Sequence, residues 1–254
     1  MLAAFDAGIN FFFLSVDMHW PLCEGMRRGL EALLARGGGV RDEIVVGVVS
    51  YLEQPLFQAF QVHEVINAVA GLERVDLIVA GAVSNPASLD SRLEPMTCAR
   101  DLKFRGARAI GASFHDRRQA VKAAMLDQLD ILYVRYNTVH PGARSDLFPF
   151  LPPVRASRIF NFKSTMFRVT VEMLSDLGIS LPNGWLPDVP DYYRFALSRP
   201  ELDGILASPG TPEEVEALAV ALSKGSLLPE EEEHMVWLSS LASARGLFQG
   251  KGAR

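Results

Sequence analysis

Apolar runs of strand length alternate along the chain with segments in which apolar residues recur every three to four positions. That is the pattern of parallel strands joined by crossover helices. It predicts strands over 9–15, 44–49, 75–80, 107–112, 131–136, 158–162 and 204–207, and helices over 22–35, 56–70, 93–104, 117–126, 167–177, 189–197, 212–223 and 229–242. The strands read as near-continuous hydrophobic runs, such as IVVGVV at 44–49 and DLIVAGAV at 76–83. A parallel strand is covered on both faces, so these runs favour an α/β fold strongly. The helix over 212–223 is announced by Thr211, a capping residue, followed by Pro212 at the first position and by Glu213 and Glu214 in the positive first turn.

The expected architecture is a TIM (β/α) barrel, one domain over residues 1–254. Seven strands is one fewer than a closed eight-stranded barrel uses. Either the pattern hides an eighth strand or the first barrel strand is missing at the N-terminus, and the second reading has a basis in residues 1–8, which look like the last turns of a helix leading into a strand. The exposed wall this leaves would need a cover, and a homodimer is one way to supply it.

The 254 residues are 49% hydrophobic and 22% charged, enough apolar side chain for one large core. A net charge of -5 gives neither a phosphate backbone nor an anionic membrane reason to attract the chain, so no nucleic acid and no membrane partner is expected. The two cysteines, Cys23 and Cys98, have no CxxC spacing and no histidine cluster nearby. Reduced thiols in a cytoplasmic protein fit them better than a disulfide framework or a structural zinc. There is no basic leader before the short apolar start and no run of about 18 uncharged apolar residues, so neither a signal peptide nor a membrane span is expected.

Several local motifs resemble the aldo-keto reductase superfamily, and they keep the family's order from Ala4 to Leu241. Ala7-Gly8-Ile9-Asn10-Phe11-Phe12 is similar to the entry into the family's second barrel strand, and Arg41-Asp42-Glu43-Ile44-Val45-Val46 to the lead-in to the third. Val75-Asp76-Leu77-Ile78 resembles the fourth strand, Arg108-Ala109-Ile110-Gly111-Ala112-Ser113 the fifth, and Arg135-Tyr136-Asn137 the close of the sixth. Tyr193-Arg194-Phe195 and residues 202–221 are similar to the approach to the eighth strand and the helix after it.

The resemblance implies hydride transfer from NADPH to an aldehyde or ketone, with a tyrosine as acid, a lysine that adjusts it, and an aspartate and a histidine. An unassisted phenol near pKa 10 is a poor acid at neutral pH, which is why a cation is needed beside it. Placed residue by residue, the aspartate falls on Phe13, the tyrosine on Met18, the lysine on Val49 and the histidine on Gly81. A slip of one residue moves the tyrosine site to His19 and the lysine site to Ser50. Independently of alignment, no lysine precedes Lys103 and no tyrosine precedes Tyr51. Standard carbonyl reduction is therefore not expected; Tyr51, just past a strand, is the one phenol near enough in sequence to enter the site by a shift of the chain.

The resemblance also implies a cofactor site for NADP or NAD, only part of which is present. Ser113 stands where the family uses a strand-end serine against the nicotinamide amide, and Phe162 near its stacking aromatic. Tyr133 replaces an expected glutamine and Leu218 an expected asparagine near the adenine. Ser208-Pro209-Gly210-Thr211 opens a helix whose amides could hold an anion, or it is a plain cap. No lysine or arginine lies in 208–214, so a 2′-phosphate has no fixed cation there.

In (β/α) barrels the functional groups follow the C-terminal ends of the strands. There the chain presents Asp17, His19 and Trp20; Tyr51 and Glu53; Ser84 and Asn85; Ser113, His115, Asp116 and Arg117; Arg135, Asn137 and His140; and Lys163 and Ser164. Strand alternation puts Arg135 on the face of Tyr133, which the resemblance turns inward. An inward arginine with His115 or His19 could hold a carboxylate or enolate, with histidine or Asp17 carrying the proton. Asp17, His19, His115 and Arg135 are thus the candidate catalytic residues. Equally, Arg135 could pair with Asp17 or Glu53 as filling, and His115 could be a loop residue. No metal site is expected, because nothing nearby completes a ligand set for Asp17 and His19. His63 and His234 read as surface groups and Glu230–Glu233 as a solvated first turn.

Two classes of function stay open beside an oxidoreductase with replacement groups. A non-redox enzyme requires a converging polar set reachable at the strand ends. A protein that binds a ligand or partner without catalysis requires a filled or apolar mouth and a large exposed patch elsewhere.

Overall fold

A computed structural model describes residues 1–15, 20–53, 57–176, 178, 179, 181 and 184–248, and for 20–22 and 57–60 the backbone alone. Seven strands alternate with helices. The strands are β1 (Phe11–Leu14), β2 (Val45–Ser50), β3 (Leu77–Val83), β4 (Ala109–Phe114), β5 (Ile131–Arg135), β6 (Arg158–Phe162) and β7 (Gly204–Ile205). The helices are α1 (Leu2–Asp6), α2 (Trp20–Leu34), α3 (Val40–Glu43), α4 (Phe57–Ala68), α5 (Pro86–Asp101), α6 (Arg117–Leu126), α7 (Ala143–Asp146), α8 (Val171–Asp176), α9 (Val189–Leu197), α10 (Pro212–Ser223) and α11 (Pro229–Ala244). The strand order is the chain order, and the registers through β1 to β5 and from β6 to β7 are parallel.

All seven expected strands are present, and α6, α9 and α10 have the expected bounds. The helix expected over 93–104 is instead α5, which begins seven residues earlier. Asn85 caps it through Oδ1, which accepts the Ser88 N–H at 3.0 Å, and Pro86 takes the first position, where its missing N–H costs nothing. Among the described residues no helix is long and apolar enough to cross a membrane.

By their contacts the residues form two compact units: Met1–Val134 with Phe150–Arg158, and Arg135–Pro149 with Ile159–Arg254. In the first unit β2 and β3 are fixed to each other at their N-terminal ends by Asp76. Its own N–H donates to the Val46 carbonyl and its carboxylate accepts the Val46 N–H, both at 2.8 Å. The same two-way bond joins Asp130 to Ile110 and, in the second unit, Asp203 to Ile159. Asp76 is 3% exposed and is neutralised by Arg41 at 2.8 Å and Arg108 at 3.0 Å, as a buried carboxylate must be. The core of the first unit is the aliphatic set of β2 to β4, Val46, Val48, Ile78, Val79, Ile110 and Ala112 among them.

Candidate functional site

In the first unit aromatic rings from β1 and β5 meet. Phe13 lies against Tyr133, ring centroids 5.3 Å apart, and Phe11 meets Phe13 edge-on at 6.2 Å. Gly47, the register partner of Phe13, leaves room for both: an ideal Cβ there would sit 3.1 Å from the Phe13 ring and 3.2 Å from that of Phe11. Position 81 shows the same complementarity. A Cβ on Gly81 would meet the Tyr51 ring at 2.7 Å and the Ser50 carbonyl oxygen at 2.9 Å. Tyr133 is 1% exposed, and burial pushes its phenol well above the ordinary range, the reverse of what an acid catalyst needs.

Polar residues at this end of the first unit are committed to holding the backbone. A bulge interrupts the β3–β4 register between Ala80 and Val83, where Ala82 adopts a left-handed φ of 52°. Its N–H donates to Ser113 Oγ at 2.8 Å, so the serine expected at a cofactor amide supports this bulge. Behind β3, the Arg92 guanidinium is fully buried, donating to the Gly81 carbonyl at 2.9 Å, the Ser88 carbonyl at 2.8 Å and Ser88 Oγ at 2.8 Å. Ser88 Oγ in turn donates to Glu53 at 2.7 Å. Burial lowers the proton affinity of Arg92, and the charge of Glu53 opposes that. His115 is exposed in the bend after β4, and it is Asp116 beside it that caps α6.

In the second unit Arg135 ends β5 half-buried and Phe162 ends β6 half-buried. Around them the amides knit the strand ends together. Asn161 Nδ2 donates to the Tyr136 carbonyl at 2.7 Å, and Asn137 Nδ2 to the Lys163 carbonyl at 2.9 Å. Asn137 Oδ1 accepts the His140 N–H at 2.9 Å, and Ser164 donates to Asn161 Oδ1. The loops after β5 and β6 then meet an apolar cluster in which Val139 and Phe167 pack with Leu174, Leu238, Ala242 and Phe248. Tyr136 stacks on Phe195 at 5.0 Å, and its hydroxyl accepts from Arg144 at 2.7 Å and Arg199 at 3.1 Å. Both arginines also bind Glu232. The solvated first turn expected at 230–233 therefore contains one buried residue, Glu232, at 7% exposure.

Ser208 and Pro209 border a cavity of about 440 Å3 between α9 and α10, walled by Val189, Pro190, Tyr193, Leu218 and Ala221. The loop amides are already engaged. Ser208 N–H donates to the Tyr193 hydroxyl at 3.2 Å, Gly210 N–H to the Glu214 carboxylate at 2.6 Å, and Glu214 N–H to Thr211 Oγ1 at 3.2 Å. A carboxylate thus occupies a donor that a phosphate would use, while Asp188, Asp191 and Lys224 are the other charged groups on the walls.

Of the eight candidate site residues, Ser208 lines the cavity just described, Gly210 lies two residues on and bonds the lining residue Glu214, and Ser113 is beside Tyr133 in register. Asp17 and His19 lie outside the described residues. Among the described residues no three of His, Cys, Asp and Glu gather as metal ligands would. The space-making glycines 47 and 81 and the Glu232 clip were missed, since a glycine in a hydrophobic strand carries no signal about which ring will fill its place.

No family model matches the sequence, and no curated protein matches it. The fold does have counterparts among solved structures. The aldo-keto reductase AKR11C1 from Bacillus halodurans superimposes in its holo form with a TM-score of 0.67 and in its apo form with 0.68, each at 13% identity. Each covers 94% of this chain and 84% of the other. The fold is that of an aldo-keto reductase. Within that fold the seven parallel strands and their crossover helices form a TIM-barrel-like α/β arrangement, as expected from the pattern of the sequence.

Proposed function

We propose that this chain is an aldo-keto-reductase-like protein that has left carbonyl reduction and works by binding a small molecule or a protein partner, as a pseudoenzyme. The observation that carries this reading is the pairing of Tyr51 with Gly81. At the position to which the resemblance assigns the histidine there is no side chain, and a phenyl ring takes the volume. Phe13 and Tyr133, at two further positions where the resemblance expects polar groups, pack on each other. Ser113, Asn137, Asn161 and Ser164 spend hydrogen bonds on backbone and neighbouring side chains, which favours binding over a non-redox enzyme that would need a converging polar set. A cytoplasmic location goes with this reading on composition alone.

The test is a direct assay of purified protein with NADPH and with NADH against a panel of aldehydes and ketones. No turnover is expected; turnover at rates usual for enzymes would end the proposal.

A second reading, an oxidoreductase that uses replacement residues with NADP or NAD, is favoured by one observation, the cavity that Ser208 lines. Under it NADH would bind better than NADPH, because Glu213 and Glu214 repel a 2′-phosphate. Either nucleotide at millimolar concentration would then raise the melting temperature by linkage.

A further inference from the structure

His234 of α11 is held between two indoles. Its ring centroid is 5.4 Å from that of Trp185, with 30° between the planes, and 5.6 Å from that of Trp237, with 33°. Nε2 lies 3.1 Å from the Trp185 carbonyl oxygen. A carbonyl only accepts, so Nε2 carries its hydrogen whether the imidazole is neutral or charged, and an incoming proton goes to Nδ1. The result is an imidazolium with an aromatic face on either side and a hydrogen bond strengthened by the charge. Of the charged groups on the two elements of the stack, Glu230 and Glu231 precede His234 by about one turn on α11, Glu233 is its neighbour in sequence, and Asp188 ends the Trp185 segment.

The segment so gripped has a consequence further on. Three residues after Trp185, Asp188 caps α9, and Asp188, Val189, Pro190 and Asp191 form one wall of the 440 Å3 cavity. We infer that the Trp185–His234–Trp237 stack is a pH-sensitive clip, in which a proton on His234 tightens the segment 184–188 onto α11 and so steadies the α9 wall of the cavity. The device stands whatever the cavity binds.

The experiment follows tryptophan emission of the full chain from about pH 8 to about pH 5, with amide exchange of 184–191 corrected for its intrinsic pH dependence. A charged imidazole quenches a neighbouring indole, so wild-type emission falls toward acid while exchange of the segment slows, on the order of tenfold for two cation–π contacts. His234→Gln keeps a donor for the Trp185 carbonyl but cannot be protonated, and both changes vanish in it. Trp237→Phe leaves a weaker face, and the slowing shrinks without disappearing, which keeps the test open if His234→Gln folds poorly. An emission step with no change in exchange would overturn the clip, as would a step of equal size in His234→Gln.

Discussion

The ring of Tyr51 stands in the space that any side chain at Gly81 would need, 2.7 Å from an ideal Cβ at that position. Placing a histidine at 81 therefore does not simply add a side chain. It forces the ring aside.

Gly81→His is expected to destabilise the protein by about 1–3 kcal/mol, the usual cost of overpacking. Removing the ring with Tyr51→Ala should recover part of that loss and no more, because the Ser50 carbonyl oxygen, 2.9 Å from the same Cβ, is backbone and cannot move away. Denaturant unfolding of the two single variants and the double variant gives the coupling. An equal loss from Gly81→His with and without the Tyr51 ring would show that the ring is not the obstacle.

The carboxylate of Glu214 fills the Gly210 amide at 2.6 Å, and that contact decides what the loop can bind. Glu214→Ala frees the donor and removes a like charge from any phosphate brought near. Under the second reading, its affinity for NADPH is expected to exceed that of the wild type by about tenfold, roughly the worth of one hydrogen bond to a charged group. Titration calorimetry on both proteins measures it. Matching isotherms would mean that the loop amides have no part in nucleotide binding.

The strands and most helices are legible in the sequence because the barrel periodicity is repeated, and each element stands on apolar residues that serve no other end. α5 escaped because Asn85-Pro86 reads as a turn and Pro95 in the helix interior removes a backbone donor, so only its second half carried a helical pattern. The site was legible in part. That β1 and β2 hold neither lysine nor tyrosine could be read directly, but which side chains pack beside the strand glycines could not. Whether Gly47 and Gly81 leave holes depends on the rotamers of Phe11, Phe13 and Tyr51, one strand away in space and about thirty residues away in sequence. Glu232 was hidden among four consecutive glutamates, since no local feature says which of them meets Arg144 and Arg199.

Alkaline pH should unfold the protein through its buried phenols. Burial raises the proton affinity of Tyr133, of Tyr136 against the pull of Arg144 and Arg199, and of Tyr192 against the hydrogen bond from Val169. In the unfolded chain these groups ionise near pH 10. Folded-state values above that mean the stability is fully present below about pH 10 and declines as the pH rises beyond it. Phenolate absorbance should therefore grow together with the loss of circular dichroism, and Tyr133→Phe should remove part of the alkaline loss. Ionisation of all the phenols well before any unfolding would contradict their burial.

The four glutamates at the start of α11 offer a graded comparison within one turn. Glu230 and Glu233 are exposed, and replacing either with alanine should change stability by less than about 0.5 kcal/mol. Glu231 accepts the Leu228 N–H at 2.8 Å, so its loss should cost about 1 kcal/mol, as for other caps. Glu232→Ala leaves Arg144 and Arg199 without their shared carboxylate while both still donate to Tyr136. Removing one partner of a buried ion pair costs about 3–5 kcal/mol, and the lower end applies because these guanidinium groups remain about 30% and 27% exposed and water can reach them. Urea unfolding of the four variants should thus rank Glu232 first, Glu231 second and the other two together. Four equal midpoints would mean that the clip contributes nothing and that the turn is solvated throughout.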